Sequence, residues 1–165
     1  MRIRGFLLIW SLLTAIVAAL SLGPSFAHVL ESAPRLTQWS PELWRETTVF
    51  SGQFRLFAAV GAPLDLAAIA CPAVLAFMVR GHRVAVRFAL AAVALYAASL
   101  GAWFAIVKPA NDILATWTQG PMADNFAAIR WQWESGHMVV AAVKLLGFAM
   151  LMLSLLSIRR VSDSR

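Results

Sequence analysis

Two histidines each stand three residues from a glutamate, in His28-Val-Leu-Glu31 and Glu134-Ser-Gly-His137, and each pair sits at the mouth of an apolar run. On a helix, residues three apart share a face and are displaced by about 4.5 Å along the axis. If the first run leads outward through a membrane and the second leads back in, both histidines lie deeper and both glutamates nearer water. Imidazole nitrogen with carboxylate oxygen suits iron, manganese, copper or zinc, and Glu-x-x-His is the spacing used on facing helices of di-metal bundles. A transition-metal set would then be His28, Glu31, Glu134 and His137. With no cofactor at all, a histidine base beside a glutamate can deprotonate a phenol or an activated carbon acid. A haem held between the two histidines also uses their matched depth, but leaves both glutamates without a role.

The elements that must position these pairs are legible in the hydropathy. The chain has 165 residues, of which 61% are hydrophobic and only 13% charged. Apolar stretches of about 18–20 residues read as membrane helices, and four are expected, over about 5–27, 56–79, 88–107 and 138–158. The fold class is therefore all-α: a polytopic membrane protein forming a four-transmembrane-helix bundle, one domain over 1–165. Loops over 28–55 and 108–137 connect the helices on one side. Arg2, Arg4, Arg80, Arg83, Arg87, Arg159, Arg160 and Arg165 flank the other side against one acid, Asp163, whereas the long loops mix both signs. By the positive-inside rule both termini and the 80–87 turn are cytoplasmic and the long loops are outside. The formal charge of +6 is thus a topology signal, and no basic patch interleaved with aromatics points to nucleic acid.

Arg2 and Arg4 followed by an apolar run and Ser25-Phe26-Ala27 resemble a secretory leader. The run from Phe6 to Leu22 is longer than a leader's apolar region, so an uncleaved first span is expected. Cys71 stands alone inside the second span, which excludes a disulfide and a thiolate metal site. Tryptophans gather in the loops, mostly as an interfacial belt. Asn111 or Asp112 is expected to cap a short helix running to Trp117, and Gly120-Pro121 to turn. Asp124 or Asn125 should start a helix in which Phe126, Ile129, Trp133 and His137 share a face, continuing to Ile158, with Arg130 spaced to pair with Glu134.

Within the spans, Ala94, Ala98 and Ala102, beside Ala97, Gly101 and Ala105, form a small-residue stripe that lets helices approach closely. Pro63 and Pro72 loosen the second span. Asp65 and Lys144 are the two charges inside the spans. Lone charges there usually pair or face a cavity, so the two form a buried ion pair or Asp65 is a carboxylate relay beneath the histidines.

The segments 28–36 (HVLESAPRL), 109–117 (PANDILATW) and 130–137 (RWQWESGH), with Pro121, resemble the anthrone-oxygenase-like family of small bacterial and fungal four-helix membrane proteins. The family pattern falls on His28, Glu31, Pro34, Asn111, Trp117, Arg130, Trp133, Glu134 and His137. Related sequences often carry glutamate where Asp65 stands, and some carry arginine at the position of Val140. The resemblance implies a membrane oxidoreductase or oxygenase acting on an apolar or aromatic small molecule, in the inner membrane of a bacterium. The site expected on this basis has His28, Glu31, Asp65, Asn111, Arg130, Glu134 and His137 in chemical roles, with Trp117 and Trp133 lining the substrate pocket. A haem anchor and a non-enzymatic protein with a structural polar cluster are the other classes. The motifs of phosphate loops, nucleophile elbows and zinc-cysteine sites are absent.

Overall fold

The computed structural model describes the backbone of residues 2–51 and 53–162 and the side chains of residues 5–51, 57 and 59–158. Among these residues every regular element is helical: α1 (Arg2–Thr37), α2 (Pro41–Arg45), a π-turn (Glu46–Phe50), α3 (Gln53–Met78), α4 (Arg83–Ala102), a second π-turn (Trp103–Val107), α5 (Lys108–Leu114) and α6 (Phe126–Ser162). Four helical stretches are long and apolar enough to cross a membrane, over Gly5–Thr37, Ala59–Met78, Arg83–Leu114 and Phe126–Ile158. They form an up-down-up-down bundle in which α1 packs on α3 and α6, and α4 packs on α3 and α6. The short 79–82 turn, the start of α1 and the end of α6 share one end; α2, the two π-turns and α5 build the other, called the capped end below. Large apolar side chains such as Leu8, Ile9, Phe77 and Leu156 face outward, where water would penalise them and lipid would not. Of the arginines that set the expected orientation, Arg2, Arg4, Arg159, Arg160 and Arg165 lie outside the described side chains, as does Arg55.

Two expectations about element ends need correction. The segment just beyond the first span, read as loop, is helical: α1 continues to Thr37, so His28 lies inside a long helix rather than at its mouth, while α6 begins at Phe126 and runs on through His137 as expected. Hydropathy marks where apolar residues stop, whereas these helices continue as an amphipathic layer that buries Ser32, Arg35, Ile129 and Trp133. Asn111 and Asp112 cap nothing. They lie within α5, which continues from α4 through the second π-turn.

That π-turn keeps one face of the long helix inward. The buried positions of α4 are Ala85, Ala89, Ala92, Tyr96 and Ser99, followed by Val107, Ala110 and Leu114. Ser99 and Val107 are eight residues apart, about 80° out of register at the roughly 100° per residue of a regular α-helix. The wider i→i+5 turn absorbs the extra residue. The expected stripe of small residues lies on the outward side of α4. Ala94, Ala97, Ala98, Gly101 and Ala105 face outward, and the close approach to α6 uses the other face. There a Cβ on Gly136 would meet Ile106 Cγ2 and Val107 Cγ2 at 2.9 Å, and one on Gly147 the Tyr96 ring at 3.2 Å.

Polar groups inside the bundle bond internally, as an apolar surrounding requires. Trp10 Nε1 donates to the Cys71 carbonyl, Tyr96 Oη to that of Ala18 and Ser154 Oγ to that of Ala85. At the capped end, Ser40 caps α2 by accepting from Leu43 N, and Arg45 donates to the carbonyls of Gly120 and Pro121. These bonds tie the first connection to the third.

Candidate functional site

A cavity of about 220 Å³ lies between the four long helices in the half of the bundle nearer the cap. His28 from α1 and His137 from α6 both line it, their rings stacked with centroids 4.3 Å apart and planes at 21°. Each is the inward-facing residue of its helix at a matched level. Trp133, one turn from His137 on α6, packs edge-on against both rings at 4.3 Å and 5.3 Å. Its indole Nε1 donates to Asn111 Oδ1 at 2.8 Å, so α5 fixes the tryptophan that braces the imidazoles. Asn111 also lines the cavity.

Two helical turns deeper, the same cavity is bounded by Asp65 from α3 and Lys144 from α6. Lys144 Nζ donates to Asp65 Oδ1 at 2.6 Å, and Ser21 Oγ donates to the same oxygen at 2.7 Å. Lys144 also reaches the Ser21 carbonyl at 3.3 Å, in the turn that Pro24 loosens by withholding an N–H from Leu20. The two intraspan charges thus form an ion pair, 6% and 17% exposed, with the carboxylate still bordering the cavity. Between the two polar levels the walls are mostly apolar, with Pro24, Leu64, Leu100 and Val140, broken by Ser25.

The two glutamates part company. Glu134 turns into the cap, where its Oε1 accepts from Arg35 Nε at 2.7 Å and from Trp44 Nε1 at 2.6 Å. Arg35 donates a further bond to Thr48 Oγ1 at 2.6 Å, and its guanidinium lies over the rings of Trp39 and Trp133. Glu31 points outward with its side chain 55% exposed, 4.0 Å from Arg35. Arg130, spaced to pair with Glu134, instead donates through Nη2 to the carbonyls of Arg35 and Trp39, satisfying the last turn of α1. Trp117 packs on Phe126 in the cap cluster around Trp44 and does not line the cavity. A planar aromatic at a helix end fills the apolar cap as readily as a pocket wall.

The proposed metal set does not fit this geometry. Its four members are divided between the cavity, the cap and the exterior, and no three His, Cys, Asp or Glu side chains among the described residues form a group that could hold a metal. A haem iron held by two imidazoles needs them on opposite faces of the macrocycle, whereas rings stacked at 4.3 Å leave no gap between them. What the arrangement offers is acid–base and hydrogen-bonding chemistry in a largely apolar cavity. The sequence reading passed over Arg35, Trp44, Thr48 and Ser21. Only Arg35 carried a signal, being a cation four residues beyond Glu31 inside the HVLESAPRL segment. No protein-family model, curated protein or solved structure matches the chain, and the site itself carries the functional reading.

Proposed function

We propose that this protein takes an apolar, aromatic small molecule into the cavity between its membrane helices and deprotonates it through the His28–His137 pair, the resulting anion being the electron donor to dioxygen in the oxygenase chemistry that the family resemblance suggests. The observation that carries this reading is the convergence of two imidazoles on one mostly apolar cavity, braced by Trp133 and faced by the Asp65–Lys144 pair. A neutral imidazole holds one donor and one acceptor nitrogen, so the pair can orient a hydroxyl or carbonyl and accept its proton. The apolar walls exclude water and strengthen those contacts. Trp133 and Asn111 act as positioning residues. Glu134, Arg35 and Trp44 build the lid over the site rather than its chemistry, and Glu31 has no part in it. The resemblance to the anthrone-oxygenase-like family suggests the same class of ligand, and the distribution of arginines suggests that the capped end faces outward.

The test uses 1-naphthol, a small aromatic with a weakly acidic hydroxyl, and protein reconstituted in lipid nanodiscs. Glutamine keeps some hydrogen-bonding capacity but loses imidazole basicity. His28→Gln and His137→Gln should each weaken naphthol binding at least tenfold while the unfolding midpoint stays near that of the wild type. Unchanged naphthol binding in both variants would reject the site.

A further inference from the structure

The cavity has two polar ends, and their spacing selects a ligand. His137 and Lys144 are seven residues apart on α6, as are Ser21 and His28 on α1, and all four line the cavity. Two helical turns separate the backbone positions of the two ends by about 10.5 Å along the helix axis. A six-membered ring with oxygens at opposite positions spans roughly 5 Å between them by ordinary bond lengths. A hydrogen bond of about 2.8 Å at each end brings the total to about 11 Å.

Each end also offers both a donor and an acceptor. An imidazole supplies one of each. At the deeper end, Lys144 Nζ has three protons, of which the structure uses one on Asp65 Oδ1 and one on the Ser21 carbonyl. The third can be donated to a carbonyl, and the Asp65 carboxylate, which borders the cavity, can accept from a hydroxyl. Such ends accommodate a ring oxygen either as C=O or as O–H.

Access follows from burial. Above the histidines Arg35, Trp44 and Trp133 are nearly inaccessible, closing the capped end. The cavity-lining Leu20, Phe57 and Phe104 are 53%, 37% and 56% exposed on the apolar exterior. At about 220 Å³ the cavity is below the roughly 300–1,000 Å³ of sites that enclose drug-sized ligands, so it holds a ring head and leaves an alkyl tail in the lipid.

Resting on the small-molecule reading above, we propose that the ligand is a ring of the benzoquinone–hydroquinone class, bearing oxygens at opposite positions and an alkyl tail, held between the histidine pair and the Asp65–Lys144 pair and entering sideways from the bilayer.

The probes are 2-decyl-1,4-benzoquinone, 2-decylphenol and decylbenzene, titrated into nanodisc-reconstituted protein by calorimetry. The quinone should bind at least tenfold more tightly than the phenol, which reaches one end only, and the phenol more tightly than decylbenzene. The double variant Asp65→Leu/Lys144→Met removes the deeper end without leaving a lone charge. It should bind the quinone about as weakly as the wild type binds the phenol, with decylbenzene unaffected. Equal binding of all three probes by the wild type would overturn the two-ended reading and leave the small-molecule cavity standing. Failure of all three to bind, with 1-naphthol still bound at the histidines, would overturn it too; failure of naphthol as well would remove both readings. The wild-type ligand series decides the matter even if the double variant does not fold.

Discussion

Glu31 and Glu134 are equivalent in the sequence, each three residues from a histidine, and the structure makes them opposites. Glutamine at position 134 keeps the side-chain shape but removes the charge facing Arg35, a guanidinium only 2% exposed whose Nε lies 2.7 Å from the carboxylate. The bond from Trp44 to position 134 would lose its charge assistance, which about halves such a bond, and the bond from Arg35 would change from an ion pair to a cation–amide contact. The carboxylate nearest this buried cation would be gone, leaving Glu31, distant and solvated, on its other side. Removing one partner of a buried pair typically costs about 3–5 kcal/mol. Retaining the hydrogen-bond geometry places Glu134→Gln near the lower end, about 3 kcal/mol. Glu31→Gln removes a carboxylate 55% exposed and 4.0 Å from the same cation, a contact screened by solvent and worth well under ~1 kcal/mol. Unfolding free energies by SDS titration in mixed micelles would measure both. A Glu134→Gln cost no larger than that of Glu31→Gln would refute the buried lid and return Glu134 to the candidates for chemistry.

Gly136→Ala should place a methyl 2.9 Å from Ile106 Cγ2 and Val107 Cγ2 and destabilise by about 1–3 kcal/mol through overpacking, measurable in the same titration; an unchanged midpoint would contradict the close approach of α6 to the π-turn. Asp65→Asn should also destabilise, because Lys144, 6% exposed, loses its counter-charge in an apolar surrounding, and Asp65→Leu/Lys144→Met should recover most of the loss; a double variant weaker than the single one would count against the ion pair. Reporter fusions after Arg83 should show cytoplasm and fusions near Trp44 the outside, and the opposite pattern would invert the orientation argued from the arginines.

The four spans were legible because apolar run length is a direct property of sequence. So was the pairing of Asp65 with Lys144, since a charge inside a span has few alternatives to a partner. The far end of α1 was not legible, whereas the start of α6 was, in Asp124 or Asn125 followed by the Phe126, Ile129, Trp133 and His137 face. α1 runs past its apolar window because Arg35, Thr48, Glu134 and Trp44 satisfy one another across four elements, and such long-range satisfaction leaves no local pattern. Spacing alone placed Glu31 and Glu134 alike. Their separation depends on where α2 folds back to bring Trp44 over α6. The inward face of α4 was misread because small residues lie on both of its faces: Ala85, Ala89 and Ala92 are buried while Ala94, Ala97 and Ala98 face outward, and alanine spacing alone does not tell the faces apart.

The central claim, that His28 and His137 form one site opening on the cavity, is tested most directly by titrating 1-naphthol into protein labelled with ¹⁵N-histidine in nanodiscs and following the imidazole resonances. The chain has three histidines, and His82, at the 79–82 turn, is the internal reference. The account predicts that the His28 and His137 signals shift together along one saturation curve while His82 stays in place. Movement of only one of the pair, or saturation of the two at different naphthol concentrations, would contradict it.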